Sequence, residues 1–237
     1  MKKRILLITM VLCLAANTFT GCGKTNDNDA SAQTETPEKS NIANEQEDLA
    51  ENVSNKTETG MKMIVDTDNR KVAVKIPEGL YNEKDMTADD LEADKNILYY
   101  SRFTAYRPDV DYSSATISEM LFDIYVTDVS EELNAEDMNE AKYLDTMTVS
   151  IAMQNPDISR EENETHGKAE YRVLTYTGTA NDGTAYTAYT RMAVLDDCFI
   201  MFRAIEYNGS NLYVSYDDMS DIFTEVYDSL LVQNLVF

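Results

Sequence analysis

Residues 169–207 read AEYRVLTYTGTANDGTAYTAYTRMAVLDDCFIMFRAIEY, and this stretch decides the fold. β-Branched and aromatic residues fill it, and two short polar links, Asn181-Asp182-Gly183 and Asp196-Asp197, divide it into three runs. An Asp-Gly pair within a short link between such runs is a strong indication of a β-hairpin. The stretch therefore predicts three antiparallel strands, over residues 169–179, 184–195 and 199–207.

Four segments further upstream also have the pattern of strands, because they are short, apolar and bounded by polar residues. They cover residues 61–65, 71–76, 97–106 and 118–129. Pro77-Glu78-Gly79 ends the second of them, since proline lacks the backbone donor and glycine permits a sharp change of direction. The acidic segment Asn82–Lys95 predicts irregular structure or a weak helical turn.

Two segments have helical periodicity. Asn134 is a good N-cap, and apolar residues then recur at three- and four-residue steps until Asn155-Pro156. Ser215 begins the second helix, with Asp218 three residues later as in a capping box. We therefore expect an α+β domain over residues 61–237, in which a curved antiparallel sheet is covered by two main amphipathic helices.

This order of elements resembles the PsbP-like fold, which is shared by an extrinsic photosystem subunit family and a Ran-binding family. The stretches that resemble it are Val72–Leu80, with its strand and Pro-x-Gly turn, and Ile222–Leu230 in the final helix. The resemblance covers residues 61–237 and implies a binding or assembly domain rather than a catalyst. No functional residue of the family is implied, because no site motif matches.

The N-terminal residues indicate export. Lys2, Lys3 and Arg4 precede the apolar run Ile5–Ala16, which is too short to span a bilayer as a helix. Phe19-Thr20-Gly21-Cys22 follows and resembles the lipobox of bacterial lipoproteins, although leucine is more usual than phenylalanine. The resemblance implies that residues 1–21 are a signal peptide and that Cys22 carries the lipid; a secreted protein with a chance cysteine is the alternative.

Residues 22–60 predict a disordered acidic tether. After Cys22 the segment contains only Ile42, Leu49 and Val53 as large aliphatic residues, and no aromatic residue. Such a composition cannot bury enough apolar surface to offset the entropy of ordering the chain. We expect it to hold the domain away from the outer face of a bacterial membrane, at the cell surface in a Gram-positive host.

The charge of the chain disfavours some partners. The sequence has 43 Asp and Glu against 20 Lys and Arg, a formal net charge of −23. Nucleic-acid binders need a basic surface, so no nucleic-acid partner is expected. Solubility explains the charge most simply, and a cationic ligand is the alternative. The expected partners are the membrane, through the anchor, and an unidentified protein or envelope component.

Cysteine chemistry is restricted in the mature chain. Cys13 leaves with the signal peptide and Cys22 carries the lipid, so Cys198 is the remaining thiol and no intrachain disulfide forms. Cys198 opens the apolar run Cys198–Phe202, which predicts a buried and inert residue.

The sequence assigns no catalytic, cofactor-binding or metal-binding residue. His166 is the one histidine, in a polar segment that predicts a solvated loop. One His and one buried Cys do not make a zinc site, and no glycine-rich phosphate loop or Gly-x-Ser-x-Gly elbow is present. We therefore expect no cofactor.

Carboxylates supply the alternatives. The pairs Asp89-Asp90, Glu131-Glu132, Asp196-Asp197 and Asp217-Asp218 permit an envelope hydrolase acting on glycan, but the chain has no Trp for a sugar platform. Calcium ligands are spaced at alternate positions in the segments 66–69 and 109–111, although neither continues as an EF-hand. The main prediction is a non-catalytic, lipid-anchored binding or assembly module.

Tyrosine is frequent, with fifteen residues against seven Phe. Many of them lie on the three C-terminal strands and the final helix, where tyrosine suits both cross-strand packing and an interface. Packing is the favoured interpretation.

Overall fold

A computed structural model describes residues 60–66, 70–87, 96–107, 120–180, 183–207 and 214–234. The predicted signal peptide, Cys22 and the tether up to residue 59 lie outside the described residues. In chain order the strands are β1 Gly60–Asp66, β2 Arg70–Ile76, β3 Leu80–Thr87, β4 Ile97–Ala105, β5 Met120–Asp128, β6 Ser159–Arg160, β7 Glu164–His166, β8 Ala169–Thr179, β9 Ala185–Leu195, β10 Cys198–Tyr207 and β11 Leu231–Asn234. The helices are α1 Ser130–Leu133, α2 Glu140–Gln154 and α3 Tyr216–Asp228.

The strands form two sheets, and their described pairings are antiparallel. The large sheet has the order β3-β4-β5-β10-β9-β8-β6, with β7 also paired to β8. The small sheet has the order β1-β2-β11. The α+β class is confirmed, but sheet dominates it, and the expectation of one sheet covered by two helices is only partly right.

The three-stranded meander is confirmed. β8, β9 and β10 pair in sequence order, and β5 continues the sheet on the far side of β10. The link between β9 and β10 is tight because Asp196 and Asp197 both adopt positive φ, at 47° and 59°. Aspartate tolerates this left-handed conformation better than most residues.

Four of the described strands were not predicted from the sequence: β3, the short strands β6 and β7, and β11. Residues 82–87 belong to β3, where irregular structure or a helical turn was expected, because pairing with β4 holds this polar segment extended. β11 follows the final helix and pairs with β2, although the sequence predicts that the chain ends in a helix.

Alternate residues of the large sheet face two different hydrophobic layers. On β10, Ile200 and Phe202 face the small sheet and α3, whereas Phe199 and Met201 face α2. The two helices therefore cover opposite faces of the sheet. In β5 the residues from Met120 to Val126 are all buried, on both faces of the strand. The prediction that this strand is half-buried is therefore wrong for these residues.

α2 begins later than the sequence predicts. Asn139, not Asn134, is the N-cap, and its side chain accepts a hydrogen bond from the backbone N–H of Lys142 at 3.0 Å. Asp137 has φ 68°, which interrupts the helix between α1 and α2. The predicted end at Asn155 is confirmed, as is the capping box of Ser215 and Asp218 on α3.

The Pro77-Glu78-Gly79 turn carries the chain from the small sheet to the large one. It lies between β2 and β3, and the Gly79 carbonyl accepts a hydrogen bond from Tyr106 N–H at 2.8 Å. Gly79 has φ +107°, and a Cβ there would lie 2.6 Å from Ile222 Cδ1. Glycine is therefore required by both the backbone and the packing of α3.

Candidate functional site

A row of charged side chains crosses the α2 face of the large sheet. The register places Asp123 of β5 directly between Arg102 of β4 and Arg203 of β10. Arg102 donates to the carboxylate through Nε at 2.8 Å and Nη2 at 3.1 Å, and Arg203 donates through Nη2 at 2.7 Å. Asp123 is fully buried, so the two guanidinium groups replace water around its charge.

Two tyrosine hydroxyls complete this polar row. Tyr100 donates to Asp123 Oδ1 at 3.2 Å, and Arg203 Nη2 donates to the Tyr125 hydroxyl at 3.1 Å. Burial alone would raise the pKa of Asp123, but the charges of Arg203 and Arg102 and their hydrogen bonds hold it below its usual value. Asp123 is therefore a carboxylate in the folded protein.

A pocket of about 570 Å³ opens beside Arg203. Its walls come from the end of α2, the end of β8 and the beginning of β9, and Arg203 reaches it from β10. The lining residues are Ile151, Gln154, Asn155, Pro156, Asp157, Tyr176, Thr177, Gly178, Thr179, Ala185, Tyr186 and Arg203. This volume lies within the roughly 300–1,000 Å³ of small-molecule sites.

Arg203 has hydrogen-bonding capacity that the described residues do not use. Its side chain is 8% exposed, and its Nε has no partner within the described part of the chain. Thr190 lies directly opposite on β9, and its fully buried Oγ1 likewise has no partner there. Both atoms are sealed from solvent and Thr190 does not line the pocket, so a ligand there would meet the remaining, accessible part of the Arg203 guanidinium.

A second polar cluster lies on the other face, around His166. The histidine is on β7, where Nε2 lies 3.1 Å from Glu164 Oε2 and Nδ1 lies 3.2 Å from Asp228 Oδ1. The rings of Tyr171 and Tyr227 lie within 6 Å of the imidazole, at 5.9 and 5.5 Å between centroids. The prediction of a solvated loop histidine is therefore wrong, because pairing of β7 with β8 brings His166 against α3.

Arg191 fixes the carboxylate of this cluster. It donates to Glu164 through Nε at 2.7 Å and Nη2 at 2.9 Å, and its guanidinium lies 4.9 Å from the centre of the Tyr227 ring. Burial would raise the pKa of Glu164, but hydrogen bonds from Arg191 and His166 lower it overall. Both histidine nitrogens face carboxylates, so the cluster connects β7, β9 and α3 as a structural network.

The carboxylate pairs occupy positions that local structure explains. Asp196-Asp197 forms the β9–β10 turn, while Glu131-Glu132 and Asp217-Asp218 stand in the first turns of α1 and α3, where negative charge is favourable. Asp89-Asp90 lies outside the described residues. The glycan hydrolase stays a prediction that these positions do not support.

Cys198 and the metal-ligand predictions have different outcomes. Cys198 is buried, and burial raises the pKa of its thiol to about 12, as expected for an inert core residue. Within the ranges given above, no cluster of three or more His, Cys, Asp or Glu could hold a metal ion. Both proposed calcium segments fall wholly or largely on residues that are not described.

The tyrosines of the C-terminal strands mainly serve packing. Tyr171, Tyr176 and Tyr227 are buried, and Tyr189 stacks on Tyr216 with ring centroids 3.8 Å apart. Sequence reasoning missed the charged row of the sheet. Its signal was available, since Asp123 and Arg203 each interrupt an apolar strand.

No protein-family model and no curated protein matches this chain. Among solved structures, it is similar to cyanobacterial PsbP (CyanoP) from Synechocystis sp. PCC 6803, at 15% identity and a TM-score of 0.40 over 75% of this chain and 95% of that one. It is also similar to a Pseudomonas aeruginosa protein of unknown function, PA94, described as a putative regulator, at 11% identity and a TM-score of 0.40, over 73% of this chain and 96% of that one. A Bacteroides thetaiotaomicron protein is similar at 13% identity and a TM-score of 0.39 over 69% of this chain, and the match spans 46% of that protein's chain.

Among the described helices, none has the length and apolar character needed to cross a membrane.

Proposed function

We propose that the protein is a non-catalytic, lipid-anchored binding module on the outer face of a bacterial membrane, and that its ligand occupies the pocket beside Arg203. The observation that carries this proposal is the pocket itself, of about 570 Å³, with a buried cation in its wall. Concave sites with a few convergent polar groups are the usual form of ligand sites.

The chemical composition of the pocket lining also supports a binding role. Its lining combines the aromatic residues Tyr176 and Tyr186 with the amides of Gln154 and Asn155. The lining contains no histidine or cysteine, which often carry acid–base or nucleophilic chemistry near neutral pH, and its carboxylate, Asp157, is exposed. The residues therefore favour holding a ligand over converting it.

The anchor and the fold family belong to the same proposal. The small residues Thr20-Gly21 directly before Cys22, and the apolar run Ile5–Ala16 further upstream, support Cys22 as the lipid attachment site. Membership of the PsbP-like class is supported by the stretches Val72–Leu80 and Ile222–Leu230. An experimental structure that superposes on PsbP-like domains with the same strand order would establish the class.

The binding role is tested with a fragment library on the mature full-length chain. Binding is followed by the NMR shifts of backbone amides in α2, β8 and β9. Ala185→Trp places a large ring at an exposed position of the pocket wall and should abolish these shifts. Ala141→Trp is the matched control, since Ala141 is exposed at the other end of α2. If no fragment binds, or if binding survives Ala185→Trp, the proposal is wrong.

A further inference from the structure

Arg203 is a charged side chain of the pocket wall that is almost entirely removed from water. The whole residue is 7% exposed, whereas Asp157, the other charged residue of the lining, is exposed. Water and salt screen an exposed charge far more strongly than a buried one. The buried row around it contains the guanidinium groups of Arg203 and Arg102 and the carboxylate of Asp123, so the row is net positive although the whole chain is acidic.

Asp123 does not use up the guanidinium of Arg203. That carboxylate accepts two hydrogen bonds from Arg102 and one from Arg203, all within 3.1 Å. Both described hydrogen bonds of Arg203 come from Nη2, to Asp123 and to Tyr125, and none is described for Nη1. A guanidinium carries five N–H donors, so donors remain for a further acceptor.

We propose that the pocket binds its ligand through a carboxylate that Arg203 holds. This inference rests on the proposed function, because it names the chemistry of the ligand in the same pocket. Arginine matches planar carboxylates in geometry as well as in charge, and such hydrogen bonds are about twice as strong as neutral ones.

The rest of the wall defines the body of the ligand. Tyr176, Tyr186 and Pro156 offer apolar contact, and the side-chain amides of Gln154 and Asn155 offer hydrogen bonds at the end of α2. A ligand with a carboxylate at one end and an apolar or amide-containing body therefore fits these walls. An N-acylated amino acid is the simplest compound of this class.

Two probes that differ only at the carboxyl group test the proposal. N-Acetyl-phenylalanine carries the carboxylate, and N-acetyl-phenylalanine amide replaces it with a neutral group. Each is titrated into the mature full-length chain at neutral pH, with calorimetry and amide shifts as readouts. We expect the acid to bind at least about tenfold more tightly than the amide, as for a hydrogen bond to a charged group.

Two variants locate the effect. Arg203→Gln should bring the affinity for the acid down to that for the amide. Ala185→Trp should remove binding of both probes, and Ala141→Trp should change neither. The comparison of the two probes on the unmutated chain remains decisive if Arg203→Gln does not fold.

The outcomes separate this inference from the proposed function. If acid and amide bind equally, or if only neutral or cationic fragments bind and Ala185→Trp removes them, the carboxylate is overturned and the binding module stands. If no fragment of the library and neither probe binds, the carboxylate inference and the proposed binding function are both overturned. A tenfold preference that disappears in Arg203→Gln supports both.

Discussion

Asp123 is a buried charge that two arginine side chains compensate. It is fully buried at the centre of the large sheet, between two arginines that donate to it within 3.1 Å. A buried carboxylate in this setting adds little net stability compared with an apolar replacement of the whole group. Its hydrogen bond holds Nη2 of Arg203, which also donates to the Tyr125 hydroxyl, and so limits the orientation of the guanidinium.

Asp123→Asn should therefore be strongly destabilising. The substitution removes the charge that compensates two buried guanidinium groups, and losses of about 3–5 kcal/mol in the free energy of unfolding are typical. Urea denaturation followed by circular dichroism measures the change. Glu225→Gln is the control, because its ion pair with Lys75 is exposed and should be worth below about 1 kcal/mol. Equal effects of the two substitutions would contradict this account.

Ionised Glu164 should stabilise the folded protein, and this contribution should be lost at acid pH. Its pKa is lower in the folded protein than in the unfolded chain, so between these two values the unfolded state binds more protons. Its contribution is therefore present above the unfolded pKa, about 4.3, and is lost as the pH falls through the folded pKa.

Melting temperatures between pH 7 and pH 3 test this linkage. We expect Glu164→Gln to reduce the drop that the unmutated chain shows on acidification. Glu162→Gln, at an exposed neighbouring position, should leave the drop unchanged. The difference between variants matters, since acidification also relieves the repulsion of a chain with net charge −23.

At the scale of elements, the Pro77-Glu78-Gly79 turn depends on glycine for two reasons that can be separated. Gly79→Ala meets both a positive φ of +107° and a contact of 2.6 Å with Ile222 Cδ1, whereas Gly183→Ala meets a positive φ of +88° with nothing within 4 Å. We expect Gly183→Ala to cost about 1 kcal/mol and Gly79→Ala to cost 1–3 kcal/mol more, roughly, from overpacking. Chemical denaturation of both variants measures the difference, and similar losses would show that α3 adjusts freely.

The sequence predicted the elements whose own pattern determines them. The β8–β10 meander and the capped helix α3 follow from alternation, turn residues and a capping box within a short stretch. β3 could not be predicted in this way, because its polar residues are extended only through pairing with β4. The start of α2 was misplaced because Asn134 and Asn139 are equally good caps in the sequence.

The candidate site depends on contacts between distant residues. Arg203 and Asp123 are 80 residues apart in the chain, and only the register of β10 against β5 brings them together. A single sequence shows that each charge lies inside an apolar strand, but not which strand is its neighbour. For the same reason the partners of His166 on α3 were not predicted.

At the scale of the whole molecule, the proposed N-terminal anchor would determine where the domain acts. Cys22→Ser removes the thiol to which the predicted lipid is attached. We expect the variant to leave the membrane fraction or to accumulate as an unprocessed precursor, because attachment of acyl chains provides the affinity for the bilayer. Cell fractionation with mass spectrometry of the N-terminus measures both.

Cys198→Ser is the control for the anchor, since Cys198 lies in the core and should not affect fractionation of the folded protein. Normal processing and membrane retention of Cys22→Ser would contradict the lipoprotein assignment.

The pairing of β11 with β2 has a consequence for how the domain forms during synthesis. Val232 of the last described strand lies opposite Val72, some 160 positions earlier in order of synthesis. Until β11 has been synthesised, the hairpin of β1 and β2 has no third strand, and two-stranded hairpins are marginally stable in water. If synthesis stopped before Leu231, this edge of β2 would stay open to pairing with other chains, which favours aggregation, whereas β11 covers it in the described fold.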